Sequence, residues 1–205
     1  MITLYAWNTP NGRKPLILLE ELGVPYTLRP VPLDGAQKTP EFLKLNPNGK
    51  IPALVDSDGG EPIVVFESGA ILQHLAERFG AFMPSSGQAR ASTLAWLHFQ
   101  MSAVGPMAGQ LGQFLRRHPD DAVGIAHFRE EVDRVYDVLN TRLGEAPHLG
   151  GDEVTIADFA TWPWVDGRRF IQLDLERFPN VSAWFHRLGE RPALQSAMAL
   201  KFTGA

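Results

Sequence analysis

The chain has 205 residues, 44 % hydrophobic and 20 % charged, the make-up of one or two globular domains with a sizeable core. Its net charge is −4, from 19 Lys and Arg against 23 Asp and Glu, so a partner gripped through its phosphates, nucleic acid above all, is not expected. Cysteine is absent, which excludes a disulfide framework, thiolate-bound metal and any cysteine nucleophile.

The start, Met1-Ile2-Thr3-Leu4-Tyr5, lacks the cationic and apolar regions of a signal peptide. No apolar run approaches the ~18 residues of a membrane span, so a cytoplasmic chain with no membrane partner is expected. Ile2, Leu4 and Ala6 alternate with Thr3, Tyr5 and Trp7, the period of a strand. A leucine-dense helix from Pro15 to Leu22 stops at Gly23-Val24-Pro25. Tyr26 to Val31 reads as a second strand, placed on an edge by Pro30. One or two helical turns follow at Pro40–Leu45, closed by Asn46-Pro47-Asn48-Gly49. Ala53–Asp56 and Ile63–Phe66 form a hairpin signal about Asp58-Gly59-Gly60. Ile71, Leu72, Leu75, Ala76 and Phe79 then mark one stripe of a helix closing at Gly80.

Past Gly80 the character changes. A linker over residues 81–89, carrying Pro84-Ser85-Ser86-Gly87, leads into segments of helical period only. Phe128, Val132, Val135, Leu139 and Leu143 form the stripe of a long amphipathic helix. Thr155 and Asp158 have the spacing of a capping box, with Val154 and Phe159 as a hydrophobic staple. Trp162-Pro163-Trp164 reads as core with a proline inside the helix, a further helix runs from Val181 past Leu188, and Pro192 opens the last. The expected architecture is an α/β domain over residues 1–80 followed by an all-α domain over residues 90–205.

Three stretches carry residues suited to chemistry, and each has a plainer reading. Ile51-Pro52 is either a trans proline opening a strand or a cis bond that turns the Ile51 backbone outward to pair with an extended peptide. Glu67-Ser68-Gly69-Ala70 opens a helix whose first N–H groups favour a carboxylate; Ser68 can add a hydrogen bond and Glu67 can receive an ammonium. One site would then hold both charges of a free α-amino acid end, unless Ser68 is simply the helix cap. Thr9-Pro10-Asn11-Gly12 is either a turn before a helix or a hydroxyl and an amide directed at a ligand by the sheet edge. His74, His98, His118, His127, His148 and His186 show no ligand spacing, so no metal is expected.

Taken together, these elements resemble the glutathione transferase family over essentially the whole chain. The first domain is similar to its thioredoxin-like domain and the helical remainder to its C-terminal domain. Ile51-Pro52 matches the family's cis-proline, Phe66–Ile71 its γ-glutamyl-binding motif and the Thr155–Asp158 box its helix cap. Thr9-Pro10-Asn11-Gly12, Asn46–Pro52, Gly105-Pro106-Met107 and Trp162-Pro163-Trp164 look like the bacterial nu class, whose members are glutathione-dependent disulfide-bond oxidoreductases related to a fungal regulator of nitrogen metabolism. The resemblance implies that Thr9 and Asn11 face the glutathione sulfur and stabilise its thiolate. It further implies that Asn11, Gln37, Asn48, Lys50, the Ile51 backbone, Glu67 and Ser68 hold the peptide. It also implies a homodimer.

Two departures mark the helical part: Leu111-Gly112-Gln113 replaces an Asn-His-His run, and His127, with Arg129 two residues on, stands where the class has an arginine. Met101, Met107, Phe114 and Trp164 either line the second-substrate wall or belong to the core. The implied reaction is reduction of a small disulfide by glutathione. The alternatives are conjugation of glutathione to a small electrophile using Tyr5 or Thr9, and a non-catalytic glutathione-binding regulatory protein.

Overall fold

A computed structural model describes residues 1–57 and 60–202; Asp58 and Gly59 of the expected hairpin loop lie outside the described residues. The chain divides into two compact units.

The first unit holds Met1–Met83 and the described residues from Glu190 onward. Its sheet has the order β2-β1-β3-β4, with β1 (Ile2–Ala6), β2 (Tyr26–Pro30), β3 (Ala53–Asp56) and β4 (Ile63–Phe66). β2 runs parallel to β1, and the other two pairings are antiparallel. Pro30 does sit on an edge strand, where the missing N–H costs no ladder bond. The period-two pattern of β1 buries Ile2, Leu4 and Ala6 on one face. Tyr5 turns the other way, into a small apolar cluster with Val31, Phe42 and Ala53.

α1 spans Pro10–Leu22, beginning five residues before the start read from the sequence. A proline is favoured in the first helical turn, so Pro15 draws the predicted start to itself. In fact Pro10 occupies that position behind the cap Thr9, and Pro15 lies inside the helix with no N–H to offer the Asn11 carbonyl. Leu16, Ile17, Leu18 and Leu19 are all fully buried, at about 1.5–3 kcal/mol each relative to exposure. They are covered on every side because α1 packs on β1, on α3 (Ser68–Phe79) and on α9 (Pro192–Ala199). Both α1 and α3 stop at a left-handed glycine, Gly23 and Gly80.

The boundary drawn at residues 90–205 differs from the structure at its far end. Residues from Glu190 pack with the first unit, where Leu194 and Ala197 of α9 are buried. Arg191 forks onto Glu21 with both bonds at 2.6 Å, and Arg13 donates to the carbonyls of Ala197 and, at 3.0 Å, Leu200. The linker is also shorter than 81–89, because α4 (Gly87–Phe99) begins within it.

The second unit, Pro84–Gly189, is helical. A π-helical turn, Gln100–Val104, joins α4 to α5 (Gly105–Arg117) and has no counterpart in the sequence reading. α6 (Ala122–Glu145) buries Val132, Val135 and Leu139 as its stripe predicts, and also Tyr136. α7 (Ile156–Asp166) is buried along nearly its whole length and starts at the Thr155–Asp158 capping box. Asp158 accepts from Thr155 N at 2.9 Å, Leu149 N at 3.0 Å and Trp184 Nε1 at 2.8 Å. The last contact ties α7 to α8 (Pro179–Gly189). No helix among the described residues is long and apolar enough to cross a membrane.

Candidate functional site

Strand register brings the candidate residues to one end of the sheet. Tyr5 pairs with Ala53, which pairs with Phe66. The end of β1 therefore leads to Thr9, the start of β3 follows Ile51-Pro52, and the end of β4 runs into Glu67-Ser68. The Ile51–Pro52 bond is cis.

Thr9 is the N-cap of α1, with extended backbone, and its Oγ1 accepts from Gly12 N at 3.1 Å. A hydroxyl that accepts in this way keeps one proton to donate. Asn11 therefore sits in the first helical turn rather than in a loop. Gly12 is obligatory here: a Cβ would lie 2.1 Å from the Trp7 carbonyl oxygen, so the close approach of α1 to the end of β1 needs the bare backbone. The turn is braced further by Arg13, which donates to Asn8 Oδ1 at 3.0 Å.

At the second corner, the N-cap of α3 is Glu67, and Ser68 is the first helical residue. This corrects the plainer reading of Ser68 as the cap. Glu67 has φ 71°, a left-handed backbone that costs a β-carbon-bearing residue of order 1–3 kcal/mol and concentrates at functional sites. Glu67 is exposed and Ser68 buried. With no capping side-chain bond at this terminus, the first N–H groups of α3 and the positive end of its dipole suit an anion.

The third corner is the 46–51 loop. Buried Asn46 organises it, its amide donating to the Lys50 carbonyl at 2.5 Å while its Oδ1 accepts from Asn48 N at 3.0 Å. Lys38 Nζ donates to the Asn48 carbonyl at 3.1 Å. Gln37, in a short 3-10 turn over Ala36–Lys38, is half-buried, its carbonyl 3.0 Å from where a Cβ on Gly49 would stand. Asn48 and Lys50 are exposed, while Ile51 is half-buried against the Val31–Phe42 cluster.

Thr9, Asn11, Ile51, Glu67 and Ser68 thus lie at one sheet end, with Asn48, Lys50 and Gln37 on the adjoining loops. Sequence reasoning missed three residues that support them. Asn46 enters the sequence reading as part of a helix stop and of the Asn46–Pro52 stretch, with no role of its own in the loop. Arg13 is tied to groups almost the length of the chain away. Lys14 is fully buried, with Nζ 3.4 Å from Ser68 Oγ. Its burial pushes the ammonium well below the ordinary lysine range, and the Glu67 carboxylate works in the opposite direction. A lysine two residues before the run Leu16–Leu19 was the available signal.

In the helical unit, Met101, Met107, Phe114 and Trp164 are each half-buried. Trp164 lies against the backbone of α5, 3.4 and 3.5 Å from where side chains on Gly105 and Gly109 would begin. His127 is exposed, and Arg129 donates to the Ile171 carbonyl at 2.6 Å within its own unit.

Comparison with known proteins gives a consistent picture. Residues 9–78 match the glutathione S-transferase N-terminal domain, and residues 122–187 match the C-terminal domain of the same family. The chain is 45 % identical over 203 residues to the disulfide-bond oxidoreductase YfcG of Escherichia coli (strain K12), covering 97 % of this chain and 94 % of that one. Its structure is similar to a glutathione transferase family member from Pseudomonas fluorescens pf-5 with two glutathione bound (TM-score 0.91, 37 % identity, 98 % of this chain and 93 % of that one). It is also similar to a glutathione transferase from Pseudomonas putida with one glutathione disulfide bound per subunit (TM-score 0.90, 37 % identity, 97 % and 91 %). With matches over both halves of its length, the chain belongs to the glutathione S-transferase family, built as a thioredoxin-like domain followed by a helical domain.

Proposed function

We propose that this glutathione-transferase-type enzyme is a nu-class, glutathione-dependent reductase of small disulfides. The observation that carries the reading is the Thr9 hydroxyl: it caps α1 at the sheet end shared with Ile51 and Glu67-Ser68, in a chain that has no thiol of its own.

Glutathione's cysteine has an ordinary pKa of about 8.5, so a few per cent is thiolate at neutral pH. Lowering it by about two units requires roughly 2.7 kcal/mol, within reach of two donors in a partly desolvated site. Thr9 Oγ1 already accepts from Gly12 N, so its proton is directed to another acceptor, and the Asn11 amide is the second donor. The thiolate attacks one sulfur of the substrate disulfide, forming a mixed disulfide and releasing the other sulfur as a thiolate that takes up a proton. A second glutathione thiolate then attacks the glutathionyl sulfur, giving glutathione disulfide and the second substrate thiol. Relatives that hold two glutathiones, or one glutathione disulfide, fit that stoichiometry.

The γ-glutamyl end is assigned to Glu67 and Ser68, the central peptide to the Ile51 backbone, and the remaining contacts to Gln37, Asn48 and Lys50. Tyr5 is the less favoured thiolate donor because its ring packs edge-on against Phe42, centroids 6.4 Å apart, inside an apolar cluster. We also assign a homodimer, supported by the exposed Ile63, Val64 and Phe66 on the edge strand β4.

The test is turnover of hydroxyethyl disulfide with reduced glutathione. A rate well above glutathione alone supports the reading. Tight glutathione binding with no such rate points instead to a ligand-sensing protein, and turnover confined to carbon electrophiles points to a conjugating enzyme.

A further inference from the structure

We propose that Lys14 is a positioning residue for the α-carboxylate of glutathione, its ammonium holding the Ser68 hydroxyl and supplying the positive charge that draws the carboxylate to the first turn of α3. The inference rests on Glu67-Ser68 as the seat of the γ-glutamyl end.

Charge bookkeeping at this corner motivates it. The γ-glutamyl end of glutathione carries one ammonium and one carboxylate. Glu67 contributes −1 and the amino end of α3 about +0.5, a balance that welcomes an ammonium and repels the carboxylate beside it. Adding Lys14 reverses the sign to about +0.5 and provides one protein group for each ligand charge: Glu67 for the ammonium, Lys14 with Ser68 and the α3 amides for the carboxylate.

Geometry supports the pairing. Lys14 is 1 % exposed, among the side chains least often buried whole. Four fully buried aliphatic residues follow it after Pro15 in α1, and the packing of α1 on α3 places its Nζ 3.4 Å from Ser68 Oγ. An ammonium has donors only. In that bond the serine oxygen therefore accepts, and the hydroxyl proton is turned away from Lys14 towards another acceptor. Burial works against the charged form of Lys14 and Glu67 works for it. A carboxylate arriving at Ser68 adds a second favourable charge, so ligand and ammonium stabilise one another.

The experiment compares two ligands on the full chain by calorimetry: glutathione, and γ-aminobutyryl-cysteinyl-glycine, which lacks only the α-carboxylate. Native protein should prefer glutathione by tenfold or more, about 1.4 kcal/mol at the least. Lys14→Met, similar in length and uncharged, should weaken glutathione by about tenfold or more and leave the analogue within about twofold. Equal weakening of both ligands, or of neither, overturns the role of Lys14 while leaving glutathione binding intact. Failure of the native protein to bind glutathione overturns the underlying site reading instead. Should Lys14→Met not fold, carbon-13 NMR of labelled lysine in the native protein decides: the Lys14 Cε signal should move with glutathione and stay put with the analogue, and an equal response to both contradicts the proposal.

Discussion

Gly12 N donates to Thr9 Oγ1 at 3.1 Å, and this bond both starts α1 and aims the hydroxyl proton away from the helix. Structural and chemical roles can therefore be separated by substitution. Thr9→Ala should cost about 1 kcal/mol of stability through the lost cap and up to about tenfold in disulfide reduction through the loss of one of the two donors, about one unit of the two-unit depression. Thr9→Ser keeps a cap and a proton and should retain most of both. Urea unfolding alongside steady-state kinetics checks this, and full activity in Thr9→Ala would remove Thr9 from the mechanism.

A second expectation concerns Arg13, nearly buried, which donates to Asn8 Oδ1 and to the carbonyls of Ala197 and Leu200 and lies 4.7 Å from the centre of the Phe202 ring. Trp7 meets the same ring at 5.9 Å. Arg13→Met should leave those carbonyls without their charged donor, lowering stability by about 2–4 kcal/mol. Amide exchange over residues 192–202 should rise selectively; unchanged protection there would show that the tail is held by apolar packing alone.

In the helical unit, Asp158 is fully buried and accepts from Thr155, Leu149 and Trp184. Asp158→Ala strands several buried donors at once, so a loss of about 3 kcal/mol or more is expected in urea unfolding. Asp158→Asn, which keeps one acceptor oxygen, should lose less. A loss below about 1 kcal/mol for Asp158→Ala would mean that the helix start is secured by other contacts.

How much of this was legible follows from the range of each interaction. The four strands, the α6 stripe and the capping box are local patterns, and they appear within a residue or two of where periodicity and spacing put them. The start of α1 was misplaced because two prolines compete for one signal and only tertiary burial admits Pro15 inside the helix. The placement of residues from Glu190 depends on Arg13 and Arg191 reaching partners about 170 to 190 positions away, which no spacing rule records. Strand register brings the corners of the candidate site, Thr9, Ile51 and Glu67-Ser68, to one end of the sheet, and these corners were legible as local motifs. Lys14 and Asn46 were not, because a buried lysine and an internally bonded asparagine look like surface residues in a sequence.

The proposed dimer has its own test. Val64 and Phe66 are 45 % and 40 % exposed on edge strand β4. Val64→Asp, which adds a charge to that surface, should shift the chain from dimer to monomer in sedimentation velocity. A native protein that sediments as a monomer would contradict the assignment.

The most direct measurement is the ionisation of bound glutathione, followed by the ultraviolet absorbance of its thiolate as pH rises, in the native protein and in the Thr9→Ala/Asn11→Ala variant. The account predicts a midpoint about two units below the ordinary ~8.5 in the native protein, returning most of the way in the variant. A native midpoint near 8.5, or a depressed one that both substitutions leave in place, would contradict it.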